Sequence, residues 1–523
     1  MAIRFEQPRA SDRISKKMQT VFGGYDHREG AKEGTFWDMV NMSGDYYPLA
    51  APRRGRVTAA RLETPGGIAG HDGLYWVDGD GFYAGGIRRG DVTPGRKRFA
   101  FLGSRLVILP DKLYWDTAAE EFGSLEASWT GTASFADGEY AGEPAEGCRI
   151  VSAGDPFPFR AGDAVTISGA SEASNNQTLV IREISEDGKN LGFFEHSFTV
   201  GEGQTLTIAR SVPDMDYICE NENRLWGCRG DTIYACKPGD PFNWNVFDGL
   251  ASDSFAVNVG SAGDFTGACS YLGFPIFFKE DNVYKVYGDR PSNFQALRSA
   301  SLGVMEGSAD SLAVAGETLF YLSRAGVMAY TGGIPENISA VFGNEQYSAA
   351  VGGSDGVKYY VSMRDESGAY SLYCYDTRVR QWYREDNTEA VGFAYFDGLR
   401  MLAADGSLYK IGPYRIKDDA DEAEGPVESL LEFGDFTEDS ANRKSVCKVQ
   451  MRLDLDEGAT VDVSASFDGG LWVPVRRIEA EGKDSYYLPV ILHRCDHYRI
   501  RIKGHGMWKL CALVREYAPG SEL

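Results

Sequence analysis

The chain has 523 residues, with 76 Asp and Glu against 53 Lys and Arg and a formal net charge of −23. That balance argues against a protein that coats nucleic acid, because binding a phosphate backbone needs neutralising Lys and Arg; it is compatible with a wall past which a polyanion slides, and equally with acidity that serves solubility alone. No apolar run of about 18 residues occurs, so no helix is expected to cross a membrane, and nine scattered cysteines without a CxxC pair read as reduced thiols used as small hydrophobes.

The length suggests about two to four domains. The start, Met1 to Glu6, lacks the apolar core of a signal peptide, so assembly in a cytoplasm is expected. Residues 1–58 read as an N-terminal arm with ring-closing strands. Ser11–Gln19 is one of two short helical candidates, the other being Thr117–Phe122. Val21–Tyr25 and Phe36–Met42 read as strands. Tyr46 to Arg54 is extended and held by its prolines. It carries Tyr46, Tyr47, Arg53 and Arg54, which are candidates for contact with other chains.

A short phrase then recurs, a tight turn followed by an apolar–aromatic pair. It stands at Gly73-Leu74-Tyr75-Trp76 and Lys112-Leu113-Tyr114-Trp115, then at Thr232-Ile233-Tyr234, Asn282-Val283-Tyr284, Thr318-Leu319-Phe320-Tyr321, Ser371-Leu372-Tyr373 and Ser407-Leu408-Tyr409. A spacing of roughly 35–50 residues is that of one four-stranded propeller blade. The segments 59–124 and 212–414 therefore read as an all-β propeller of about seven blades. An N-terminal strand would complete the last blade and so remove unpaired edges. Residues 125–211 break the rhythm. Strands such as Ala164–Ile167, Thr178–Ile181 and Gln204–Ile208, parted by polar turns, predict a small β-barrel or sandwich inserted between blades. Residues 415–426, with Asp418, Asp419, Asp421, Glu422 and Glu424, read as a solvated acidic linker. Residues 427–523 alternate cleanly and predict a C-terminal β-sandwich.

Motifs that carry chemistry are few. Ser466-Phe467-Asp468-Gly469-Gly470-Leu471-Trp472 resembles a shortened Asp-box, a structural turn even in the sialidases that use it. His493, Cys495 and His497 alternate on one strand face, with His505 nearby. They fit a zinc site, or a packed Cys495 flanked by histidines. Arg229-Gly230-Asp231 falls where a hairpin needs its turn. No pair of carboxylates stands in a recognisable glycosidase setting, and no catalytic, metal-binding or cofactor-binding residue is nominated. In Pro238-Gly239-Asp240-Pro241-Phe242-Asn243-Trp244, two prolines and a glycine set a rigid turn that puts Phe242 and Trp244 on one side. Both aromatics are further contact candidates.

The run Asn223-Arg224-Leu225-Trp226-Gly227, with Thr232-Ile233-Tyr234 and Gly239-Asp240-Pro241-Phe242-Asn243-Trp244, resembles the propeller of tailed-bacteriophage virion proteins of the packaged-DNA stabilisation or tail nozzle type. Ile276 to Gly288, Gly326 to Tyr330 and Asn41 to Leu49 with Pro52-Arg53 are similar to further phrases of that family. The resemblance covers most of 20–60 and 213–414; the insert and the C-terminal sandwich are not general features of the family. It implies a non-enzymatic structural protein of the tail or neck, without a cofactor, that stabilises packaged DNA and gates its exit. It also implies a ring of copies, with six-fold symmetry as one expectation, that contacts the portal, adaptor and other tail proteins. Genomic DNA would pass through without sequence-specific binding, and no membrane would be involved. The alternative is a tail-tip or fibre-associated module that binds a glycan or other receptor.

Overall fold

The computed structural model describes residues 14–140, 143–193, 198–412, 422–489 and 494–519. The chain divides into two compact units, residues 1–74 with 310–523, and residues 75–309. The fold is all-β: among the described residues the only helices are short 3-10 turns, and no helix is long and apolar enough to cross a membrane.

Seven antiparallel meanders of four neighbouring strands carry the pattern. They comprise residues 65–91, 98–124, 217–258, 267–299, 313–337 and 347–384, and a seventh in which Ala390–Tyr395, Leu399–Ala403 and Ser407–Ile411 are followed in space by Val57–Arg61. Within residues 75–309, the first strands of successive meanders lie side by side: Arg98–Leu102 next to Tyr217–Asn221, next to Gly267–Tyr271. In the other unit Ala313–Ala315, Tyr347–Ser354, Ala390–Tyr395 and Pro65–Gly70 follow one another in the same way. Within each unit, neighbouring first strands and meandering four-stranded sheets are the arrangement of β-propeller blades. The last blade takes its fourth strand from the N-terminal side, with Ser407 opposite Arg61 and Lys410 opposite Val57.

Burial explains the strand chemistry. Most second strands bury both faces and so read as largely apolar runs: Leu399–Ala403, interrupted by Arg400, is buried throughout, and Phe274–Lys279 nearly so. Burial of fourth strands varies: Gln295–Ser299 faces solvent, whereas Gln381–Arg384 buries Trp382 and Tyr383.

Between the second and third blades sits a closed six-stranded barrel built from strands spanning residues 127–210. Alternation fills it, with Leu206 and Ile208 inside while Thr205 and Thr207 face out. The hydroxyls of Thr130 and Thr207, 3.0 Å apart, bridge neighbouring strands on its outside.

The C-terminal segment forms two five-stranded sheets, each including one N-terminal strand: Ser15–Gln19 pairs with Trp508–Pro519, and Phe36–Val40 pairs with Glu428–Phe433. The helix expected at Ser11–Gln19 is therefore corrected. Residues 11–13 lie outside the described residues, and Ser15–Gln19 is an edge strand whose Lys16 and Met18 point outward. Sheet pairing with a segment about 500 residues away in sequence overrides a weak local preference. The other helical candidate is corrected too. The Asp116 carboxylate accepts from the amides of Ala118 and Ala119 at 3.1 and 3.2 Å, closing a turn, and Glu121–Ser124 runs back as a strand. Val21–Tyr25 is extended but makes only an isolated bridge, Tyr25 to Phe36.

Candidate functional site

The structure separates the contact candidates into two places. Tyr46, Arg53 and Arg54 line one cavity of about 230 Å³, together with Asp45, Arg56, Lys358 and Glu385. Tyr47, next in sequence, is 41% exposed.

The cavity's geometry comes from a 3-10 turn, Gly44–Tyr46, capped by Ser43, whose hydroxyl accepts the Asp45 amide at 3.3 Å. The chain then runs along the last blade and brings a basic run, Arg53-Arg54-Gly55-Arg56, against the acidic pair Glu385-Asp386. Arg56 meets Glu385 at 2.6 Å and Asp386 at 2.7 Å. Arg53 donates to Asn41 Oδ1 at 2.8 Å and forks onto Glu424 at 2.7 and 2.9 Å. Glu424 also accepts the Arg56 amide at 2.8 Å. Arg53, Arg56 and Glu385 are almost fully buried. Arg54 is exposed and reaches the Tyr46 hydroxyl at 3.3 Å. At the other wall Lys358 pairs with Asp45.

These contacts fix the titration behaviour. Burial pushes the Asp386 carboxyl up, but Arg56 and the hydrogen bonds from Thr388 outweigh it and hold the group below its ordinary value. Glu424 behaves alike: burial opposes ionisation, and Arg53 and the Arg56 amide win. Burial disfavours the Lys358 ammonium, but neighbouring groups, Asp45 among them, raise it above its usual value. A general acid or base needs a carboxyl pushed up, or a lysine pushed down, toward neutral pH. The shifts of Asp386, Glu424 and Lys358 run the other way, each group being held charged by its ion-pair partners.

Phe242 and Trp244 lie in the other unit and are 8% and 1% exposed. Neither offers a surface to another chain. They fill the core between the blades 98–124 and 217–258, with Leu109, Leu125, Val212 and Leu225. The Trp244 indole donates to the Pro241 carbonyl at 2.8 Å, closing the Pro-rich turn. Phe242 packs edge-on to Tyr114 at 5.1 Å and lies 4.9 Å from the Arg210 guanidinium. Between them, Asn243 holds the barrel: its Oδ1 accepts the Ala164 amide at 2.8 Å, and its Nδ2 donates to Asp163 at 3.2 Å and Asp240 at 2.7 Å. Asp163 also pairs with Arg210 at 2.6 Å. The loop is thus an internal clamp between barrel and blade.

The other motifs resolve locally. Gly230 of Arg229-Gly230-Asp231 takes φ 57 in the turn between Arg224–Arg229 and Thr232–Ala235. The Asp-box-like turn joins two C-terminal strands; Asp468 accepts the Asp496 amide at 2.7 Å, and Trp472 stacks under Arg501 at 3.9 Å. Of the zinc candidates, His493 lies outside the described residues. Burial pushes the Cys495 thiol up to about 11. His505 is 2.6 Å from Glu428. Among the described residues no group of three or more His, Cys, Asp or Glu could hold a metal ion. Most of the acidic stretch, through residue 421, also lies outside the described residues; Glu422–Ala423 pairs with Val57 and Thr58.

Sequence reasoning missed Arg56, Glu385, Asp386 and the role of Glu424. A signal was present: the basic run Arg53-Arg54-Gly55-Arg56 before the ring and the acidic stretch that contains Glu424 after it have opposite charge.

No family model and no curated protein matches the chain. Among solved structures it is similar to Raptor of Chaetomium thermophilum, with a TM-score of 0.32 and 10% identity over 70% of this chain and 29% of that one. It is similar to an exo-β-1,3-galactanase from Phanerochaete chrysosporium, TM-score 0.22, at 10% identity over 57% of this chain and 94% of the enzyme. It is also similar to the endosialidase of phage phi92, TM-score 0.19, at 11% identity over 78% and 70% of the two chains. Glycoside hydrolases thus stand among its distant structural neighbours, at a similarity too low to transfer a substrate or a catalytic residue.

Proposed function

We propose that the chain is a non-catalytic structural protein of a tailed-phage particle, placed in the tail or neck, where it helps retain packaged DNA and gate its exit. The observation that carries the reading is the way the segment around residues 53–61 is fastened into the last blade. The last blade borrows Val57–Arg61, and just before that strand the buried Arg53 and Arg56 are paired with Glu385, Asp386 and Glu424. Opening that blade means unzipping a strand and exposing paired charges together, which suits a part that bears load. A net charge of −23 suits a surface that DNA passes without sticking. In this reading copies form a ring, with six-fold symmetry one option, and contact the portal, adaptor and other tail proteins through exposed groups such as Tyr47 and Arg54.

The test is mass spectrometry of purified particles together with immunogold labelling. Labels at the neck or tail are expected. A chain that is missing from purified particles, or that stays in the lysate after particles are removed, overturns the proposal.

A further inference from the structure

The blades 217–258 and 267–299 each open on a hairpin whose turn uses left-handed residues that are not glycine. These are Glu222 and Asn223, φ 49 and 60, in one, and Leu272, φ 52, in the other. Both turns border a cavity of about 320 Å³, within the range of roughly 300–1,000 Å³ for small-molecule sites. Its walls are aromatic: Trp226, Phe274 and Phe294 line it, the last two half-buried. Trp226 and Phe294 meet edge to face at 5.0 Å.

The polar groups of this cavity are not used up by the fold. The Trp226 indole nitrogen is buried without a hydrogen-bond partner. Asn221 spends only its Oδ1, on the Ser270 hydroxyl at 2.8 Å, leaving its amide NH2 to donate. Glu222, exposed on the turn, makes no hydrogen bond or ion pair. Arg224 is different: its guanidinium is spent on the backbone carbonyls of Cys236, Ala251 and Asp253.

We propose that this cavity binds a neutral pyranose unit of a glycan. A sugar ring presents an apolar C–H face and a rim of hydroxyls. The aromatic walls match the first, and the Asn221 amide and Glu222 carboxylate match the second. A neutral sugar is favoured over an acidic one because Glu222 stands at the cavity without a cationic partner, Asp289 is already met by Arg290 at 3.8 Å, and the one buried cation of the lining, Arg224, is already met by three carbonyls. The inference goes beyond the virion reading and does not depend on where in a particle the protein sits.

The experiment is calorimetric titration of the full chain with cellobiose, lactose and N,N′-diacetylchitobiose, with galacturonic acid as the anionic comparator. At least one neutral sugar is expected to bind, at least about tenfold more tightly than galacturonic acid. Glu222→Gln, on an exposed turn, and Phe274→Ala, at a half-buried wall, are each expected to weaken that binding by about tenfold or more, with the thermal unfolding midpoint of Glu222→Gln unchanged. The proposal is overturned if none of the three neutral sugars binds, if galacturonic acid binds as well as they do, or if both variants keep the wild-type affinity.

Discussion

The Arg53 guanidinium grips both carboxylate oxygens of Glu424, a residue 371 positions away in sequence, at 2.7 and 2.9 Å. A two-pronged contact of this kind fixes orientation as well as distance. Breaking it from the arginine side should be costly, because Glu385 and Asp386 are also within 3.8 and 3.6 Å of Arg53 and would be left buried with less compensation. Arg53→Ala is expected to cost about 3–5 kcal/mol, read as a fall in the urea midpoint. Glu424→Gln should cost less, since that side chain is 39% exposed. The double variant should be less damaging than the sum of the two singles. Strict additivity would show that the pair is not coupled.

The same cluster sets a pH dependence with a definite sign. Asp386, Glu424 and Asp45 all hold their carboxyls below ordinary values, against the opposing effect of burial. The unfolded chain therefore binds more protons than the folded one as the pH falls toward the unfolded carboxyl value of about 4. Their contribution is complete above that value and is lost as the pH drops through the lower folded values. The urea midpoint should hold steady from neutral pH to about 5 and then decline. Asp386→Asn should lower the plateau and flatten the decline. An equally steep decline in that variant would place the acid sensitivity elsewhere.

How much of this was legible depended on sequence distance. The blades announced themselves because a turn, an apolar residue and a buried aromatic such as Tyr284 or Tyr373 lie within a few residues of one another. The barrel was legible by its broken rhythm. The pairing of Ser15–Gln19 with the strand ending at Pro519 was not, because nothing in Ser-Lys-Lys-Met-Gln names its partner. Phe242 and Trp244 illustrate a different limit. Their alternation placed them together on one side, but the sequence could not say whether that side faced solvent or the barrel-bearing blade.

Asn243 offers a test of the clamp. Its Nδ2 faces two carboxylates, Asp163 and Asp240, while its Oδ1 serves the buried Ala164 amide. Asn243→Ala should cost about 1–3 kcal/mol by leaving that amide unpaired. Asn243→Asp keeps the shape but sets a third carboxylate against the other two, so it should be the more damaging change. Hydrogen exchange of the Ala164–Ser168 strand would report the effect, with faster exchange in both variants and the larger increase in Asn243→Asp. Protection equal to wild type in Asn243→Asp would exclude this loop as the fastening of the barrel.

Gly406 tests how the last blade is closed. It takes φ 86 in the turn before Ser407–Ile411, and its carbonyl accepts the Leu62 amide at 2.8 Å, just beyond the borrowed strand Val57–Arg61. A Cβ placed there would lie 1.9 Å from the Leu62 carbonyl oxygen. Backbone cannot swing aside as a flexible side chain can, so the strand junction itself must move. Gly406→Ala combines a left-handed conformation disfavoured by about 1–2 kcal/mol with that clash. It should therefore lower the unfolding midpoint more than an alanine at Gly356, which also has positive φ, 92, but has open space around it. The two variants share the conformational penalty, so the difference between them isolates the contact with Leu62. If they unfold together, the N-terminal strand is not held at this point, and the load-bearing closure of the blade loses its physical basis.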